Sequence, residues 1–208
     1  MTAEPSTGAA IAACRAAHER LLATVSRVDD ETARAPSRLP GWTVGHVLTH
    51  LARNADGHAR RLEGALRGNE VARYAGGVEQ RDREIEAGAG RPARELIDDL
   101  ADSAKRLEDV WSRSEQAGWP NADLLATDRW PTTGSPLRRL RETEVHHVDL
   151  GLGYEPLDWP DDYVNWELPH SLDRLPRLLA GPADSRRLLA WIIGRSGWPN
   201  GPELRPWM

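Results

Sequence analysis

The sequence has no phenylalanine, two methionines, one lysine (Lys105) and a single cysteine, Cys14. One thiol cannot close an internal disulfide, and without a Cys-x-x-Cys partner it cannot build a thiolate zinc site. Any metal must therefore be held by histidine and carboxylate. No apolar run approaches the ~20 residues of a membrane span. The opening Met1-Thr2-Ala3-Glu4-Pro5 lacks the basic and apolar regions of a signal peptide, so the expectation is a cytoplasmic protein with no membrane partner. A long basic block is also missing, and the formal net charge is -5. Nucleic-acid phosphates demand a positive footprint, so nucleic acid is set aside as a partner. Nothing in the sequence specifies an oligomeric state.

The 208 residues suit one large domain, or one domain with a small appendage. Nearly all positive charge is arginine, which reflects either a GC-rich coding sequence or guanidinium forks for carboxylate substrates. Apolar residues at helical intervals predict a helix from about Ala9 to Val28, with Ile11, Cys14, His18, Leu21, Leu22 and Val25 on one side. Arg34-Ala35-Pro36 to Gly41 breaks it. Thr43 is the N-cap signal for a second helix running to Gly68-Asn69. Residues Glu70 to Gly90 read as a loop with a short helix through Arg81 and Ile85, and Pro92 opens a third long helix to Gly118. Trp119 to Gly134 reads as a long irregular connection. Ser135-Pro136 reads as cap and first turn of a fourth helix, Leu137 to about Gly151. Further helical stretches lie around Leu172-Leu179 and Ser185-Gly194. The expectation is all-α: a bundle domain at 1–155 and a short, mostly helical C-terminal segment at 156–208 packed on it.

Two histidine motifs carry the chemistry, Gly41-Trp42-Thr43-Val44-Gly45-His46-Val47-Leu48-Thr49-His50-Leu51 and Arg141-Glu142-Thr143-Glu144-Val145-His146-His147-Val148-Asp149-Leu150. Glu142 and His146 are four apart and share a helix face. With His50 from a facing helix they would form a site of two imidazoles and one carboxylate with an open position, suited to zinc or another divalent transition ion. Asp149 could orient the His146 ring from behind. Two competing sets stay open on spacing alone. His46 and His50 also share a face, and Glu144 with His147 forms a Glu-x-x-His pair of the di-iron type, although no second such pair is present. Cys14 reads as a small core residue. Trp42 reads as a packing anchor, and Trp119, Trp130, Trp159 and Trp166 as loop residues that line a pocket or cover an end of the bundle.

At these motifs the chain resembles the mycothiol-dependent maleylpyruvate isomerase family, a branch of the DinB-like four-helix bundles. The family's Gly-Trp-Thr-Val opening before a His-Leu, and its later Arg-Glu-x-x-x-His-x-x-Asp-Leu run, place its metal ligands on His50, Glu142 and His146. The Asp three residues on sets the register at His146 rather than His147. The likeness runs over about residues 9 to 155. The tail after Tyr154 is shorter than the mixed α/β second domain of the best-known members. Arg195, in a closing Gly-Arg element, is the candidate catalytic arginine, with Arg81 and then Arg83 behind it.

The resemblance implies a divalent metal, zinc, and mycothiol as a low-molecular-weight thiol cosubstrate. A metal-bound thiolate would add to the cis double bond of a small unsaturated carboxylate, allow rotation and leave, giving the trans isomer. A mycothiol S-transferase for another electrophile shares the thiolate but stops at the adduct. A non-catalytic metal-binding bundle is the alternative outside enzymes.

Overall fold

The first helix begins where a side chain can satisfy a free amide. Ser6 Oγ accepts from the Ala9 N–H, and α1 runs Thr7–Val25. The computed structural model describes residues 5–120, 131–179 and 181–192. A short helix absent from the sequence reading follows, α2 at Asp30–Arg34, with Asp29 accepting from the Thr32 N–H. Five residues carry too little periodicity to be seen in the sequence. Helix α3 spans Val44–Leu66, with Thr43 as its N-cap as expected. Gly45 lets its first turn approach the end of the next helix, α4 at Gly77–Gly88. A Cβ on Gly45 would stand 2.2 Å from the Ala89 carbonyl oxygen.

Helix α5, Ala93–Gln116, has Pro92 at the cap position rather than inside the first turn. Proline offers no side-chain cap, and Asp30 of α2 supplies one by accepting from the Ala93 N–H at 2.7 Å. Of the expected long connection, residues 121–130, with Trp130, lie outside the described residues. A 3-10 turn at Thr132–Gly134 then leads into α6, Ser135–Asp149. Ser135 is therefore not the N-cap. Gly134 holds that position, and the Ser135 hydroxyl accepts from Trp111 Nε1 at 3.0 Å and meets His58 Nδ1 at 3.0 Å.

The described helices are eight, and no strand occurs among the described residues. α3 packs against α5, α6 and α4, while α1 packs against α6 and α5. α1, α3, α5 and α6 thus form a four-helix bundle with α1 and α3 at opposite corners. One core cluster joins Leu21, Val25, Val47, Leu48, Leu51, Leu96 and Leu100, with Trp42 and Leu39 packed on its edge. Cys14 is fully buried, as its place on the apolar side of α1 predicts.

The centre is not wholly apolar. Arg139 of α6 is fully buried. It donates from Nε to His18 Nε2 at 3.1 Å and from Nη1 to the Leu51 carbonyl at 2.8 Å and Asn54 Oδ1 at 3.1 Å. His18 in turn donates from Nδ1 to Glu108 at 2.7 Å. A neutral imidazole thus joins a carboxylate to a guanidinium across three helices. Burial first, and the nearby Arg139 charge, depress the His18 pKa against the pull of Glu108.

Residues Pro5–Trp159 make one compact unit, and the described residues from Pro160 onward belong to another. The latter holds α7, Asp161–Leu178, and α8, Pro182–Ile192. α7 starts well before the expected Leu172 and includes Trp166, read as a loop residue from the sequence. Pro169 and Pro176 within it are strong breaker signals that masked its length.

Candidate metal centre

The loop before α3 is pinned before the helix starts. Ser37 N–H donates to the Trp42 carbonyl at 2.8 Å, and Arg38 N–H to the Asp149 carbonyl at the end of α6 at 2.8 Å. The start of α3 is therefore tied to the end of α6, where the two histidine motifs meet. Thr43 and His46 close a reciprocal cap: His46 N–H donates to Thr43 Oγ1 at 3.3 Å, and Thr43 N–H donates to His46 Nδ1 at 3.1 Å. The other ring nitrogen of His46 faces Glu86 at 3.2 Å. Both nitrogens are engaged, so the structure gives His46 a capping role and does not pair it with His50.

One turn further, His50 points across to α6. Its Nε2 lies 3.1 Å from Glu142 Oε2, and His146 Nε2 lies 3.5 Å from the same oxygen. The ligand atoms of His50, Glu142 and His146 all fall within 4.8 Å of one another, the one such grouping among the described residues. The two imidazoles meet edge to face at 4.6 Å, and the Trp42 ring lies 5.6 Å from His50. His146 Nδ1 sits 2.8 Å from Asp149 Oδ2, the orienting contact the spacing suggested. His50 Nδ1 is buried with no hydrogen-bond partner, so the polar engagement of that ring is toward Glu142 alone.

The electrostatics follow from this crowding. Burial disfavours the Glu142 anion, but hydrogen bonds from His146 and His50 outweigh it and hold the carboxyl well below its usual range. Burial pushes the His50 pKa down against the pull of Glu142, and the charges of His146 and Arg81 push it further. At His146 burial works the same way, yet Asp149 and Glu142 together raise it to about 9. The cluster is thus an anionic carboxylate between one neutral imidazole and one that keeps its proton until something displaces it. A neutral nitrogen, a displaceable proton and an ionised oxygen aimed at one point form a donor set that fits a divalent transition ion.

The other candidates go elsewhere. Glu144 is buried, bonded by Arg20 at 2.5 Å and by the Tyr154 hydroxyl at 2.6 Å. His147, also buried, meets Thr24 Oγ1 at 2.8 Å and stacks on Tyr154 at 3.8 Å between centroids. The Glu144/His147 pair is therefore committed to the α1 side of α6. Arg195 lies outside the described residues. Arg83 is exposed, while Arg81 is partly buried, paired with Asp82, and has its guanidinium 5.9 Å from the Tyr74 ring centroid. Sequence reasoning missed two features. Arg139 sits on the same face of α6 as Glu142 and His146, yet the run Leu137-Arg138-Arg139-Leu140-Arg141 reads as solvated charge. The second is a cavity of about 450 Å³ that Arg81, itself a sequence candidate, borders together with Arg73 and Tyr74 from an aperiodic loop that gave no signal.

A family profile described as the mycothiol maleylpyruvate isomerase N-terminal domain matches residues 14–151. Among solved structures, the chain is similar to a crystal structure of the mycothiol-dependent maleylpyruvate isomerase, with 27% identity and a TM-score of 0.72 over 78% of this chain and 68% of that one. A mutant form of that isomerase aligns over the same shares at 26% identity and a TM-score of 0.72. No curated protein sequence matches the chain.

Proposed function

The chain belongs to the family of mycothiol maleylpyruvate isomerase N-terminal domains, and from that premise we propose a divalent-metal-dependent thiol enzyme that isomerises a small cis-unsaturated carboxylate. His50, Glu142 and His146 would hold the ion, zinc in kind, and mycothiol would be the thiol cosubstrate. The observation that carries this reading is the convergence of the three ligand atoms within 4.8 Å, with Asp149 behind His146.

When bound, such an ion supplies acidification of the thiol, since a coordinated thiol is deprotonated. The chain's own residues do the rest. Glu142 brings a full negative charge that offsets that of the cation, and His50 offers an already neutral nitrogen. His146 gives up its proton on binding, with Asp149 keeping the ring aimed afterwards. Both ligand-bearing segments are helices tied together at the Arg38–Asp149 contact, which favours fixed geometry over adaptation. Arg81 would face a substrate carboxylate. Thiolate sulfur would add to one alkene carbon, the resulting single bond would rotate, and the same sulfur would be expelled as thiolate while the double bond re-forms in the trans geometry, so the thiol is regenerated and not consumed.

The test combines metal content with thiol accounting. Elemental mass spectrometry should find about one zinc-like ion per chain, lost in Glu142→Ala. Maleylpyruvate should turn over many times per mycothiol. Consumption of one thiol per product would instead assign an S-transferase, and absence of metal even after zinc addition would sink the enzyme reading.

A further inference from the structure

The cavity between the outer face of α3 and the segment leading into α4 is electrically unlike the rest of the chain. Five arginines reach it against three carboxylates, in a protein whose formal net charge is -5. The carboxylates are already committed. Asp56 pairs with Arg53 at 2.9 Å and Arg106 at 2.6 Å, Glu63 with Arg113 at 3.1 Å, and Glu84 accepts from Gln80 at 2.7 Å. Three of the five arginines pair with none of these carboxylates: Arg60, whose Nε donates to the Ala72 carbonyl at 3.2 Å, Arg73 and Arg81. Among the described residues no carboxylate pairs with Arg73, and its Nε is buried without a hydrogen-bond partner. Arg81 pairs only with its exposed neighbour Asp82, through Nε at 2.9 Å and Nη2 at 2.8 Å. That uses two of the five N–H donors of a guanidinium.

The Arg73 and Arg81 guanidinium groups lie on one ring. The Arg73 carbon is 5.5 Å and the Arg81 carbon 5.9 Å from the Tyr74 centroid. The ring attracts each cation but does not neutralise either. Holding two like charges together in a partly enclosed space costs free energy that an anion would recover. The wall of α3 is also cut away to seat Arg73 and Tyr74. A Cβ on Gly57 would stand 2.8 Å from Arg73 Cγ and 3.2 Å from Tyr74 Cε1. Gly57 is seven residues beyond His50, on the same face and about 10 Å along the helix. The influence of Arg81 on His50 fits that proximity.

We propose that Arg73 and Arg81, stacked on Tyr74, form a carboxylate-binding site for a small organic anion, supplied by the helical bundle itself about two turns along α3 from His50. It rests on the reading above for its place in catalysis, but anion binding at this site needs neither metal nor thiol. The bidentate geometry of guanidinium favours a planar carboxylate over a spherical anion.

The experiment is calorimetric titration of maleate, a cis-unsaturated dicarboxylate, into chelator-treated full-length protein, with the neutral diamide of maleate as control. Maleate should bind and the diamide should not. Arg73→Gln and Arg81→Gln should each weaken binding by roughly ten- to a hundredfold, with zinc content on reconstitution unchanged. Arg73→Lys should recover only part of the loss, because an ammonium lacks the fork. Asp82→Asn frees the occupied edge of Arg81 and should tighten binding. Wild-type protein that ignores maleate at millimolar concentration, variants that bind it like wild type, or a diamide that binds equally well would each overturn the proposal. Glu142→Ala separates the two readings: it removes metal and turnover but leaves maleate binding intact. A protein that never isomerises maleylpyruvate yet binds maleate through Arg73 would refute the enzyme and keep this site.

Discussion

Replacing His147 by alanine is expected to cost stability and leave the metal in place, the reverse of the same change at its neighbour His146. His147 is 1% exposed. Its Nε2 meets Thr24 Oγ1 at 2.8 Å, and since the Thr24 hydroxyl donates to the Arg20 carbonyl, the ring is the donor. Its face lies 3.8 Å from that of Tyr154. Truncation removes a hydrogen bond of about 1 kcal/mol and a ring pair of about 1 kcal/mol. It also leaves a cavity whose lining cannot fully collapse, for a total of about 3 kcal/mol. With a urea slope of about 2 kcal/mol/M for a chain of this size, the midpoint should fall by about 1.5 M. His146→Ala removes a partner of Glu142 and should abolish metal retention. The assay is urea unfolding of chelator-treated protein, alongside elemental analysis of each variant after zinc loading and dialysis. Metal loss from His147→Ala would mean that α6 is rotated relative to α3 in solution. A stability change under about 0.5 kcal/mol would refute the packing argument itself.

Other consequences follow from the same contacts. Burial first, and the Arg20 charge second, hold the folded His147 pKa at about 4, below its ordinary 6.5. The sign for a depressed histidine is that its contribution is complete above pH 6.5 and is lost as pH falls through about 4. Urea midpoints between pH 6.5 and 4 should therefore decline less steeply in His147→Phe, and identical slopes would contradict the assignment. Arg139→Gln breaks the bond to the carbonyl of Leu51, which adjoins His50. Zinc affinity, by competition with a chromogenic chelator, should drop roughly tenfold or more, whereas unchanged affinity in a folded variant would limit Arg139 to packing. Gly45→Ala forces a Cβ to within 2.2 Å of the Ala89 carbonyl oxygen. It should destabilise by about 1–3 kcal/mol in urea unfolding, and a neutral effect would show that α4 moves freely away from α3.

The sequence by itself determined the long helices and the helix face that Glu142 and His146 share. Thr43 and the apolar repeat behind it define α3, and Glu142 and His146, four apart, must share a face on any helix they occupy. Spacing alone could not choose among the histidine pairs; the motif resemblance did so before the fold was known. The structure then gave each rejected pair a physical occupation: His46 closes the cap on Thr43, and Glu144 is held by Arg20 and Tyr154. Short or proline-bearing helices such as α2 and α7 were illegible because their periodicity is brief or their breaker residues are tolerated. What only the tertiary structure decided are the contacts between residues far apart in the chain. The Glu108–His18–Arg139 relay joins three helices, and Arg73, from the loop before α4, meets Arg81 of α4 on Tyr74. A buried arginine and a solvated one look alike in sequence, because what distinguishes them is the partner that packing brings within reach.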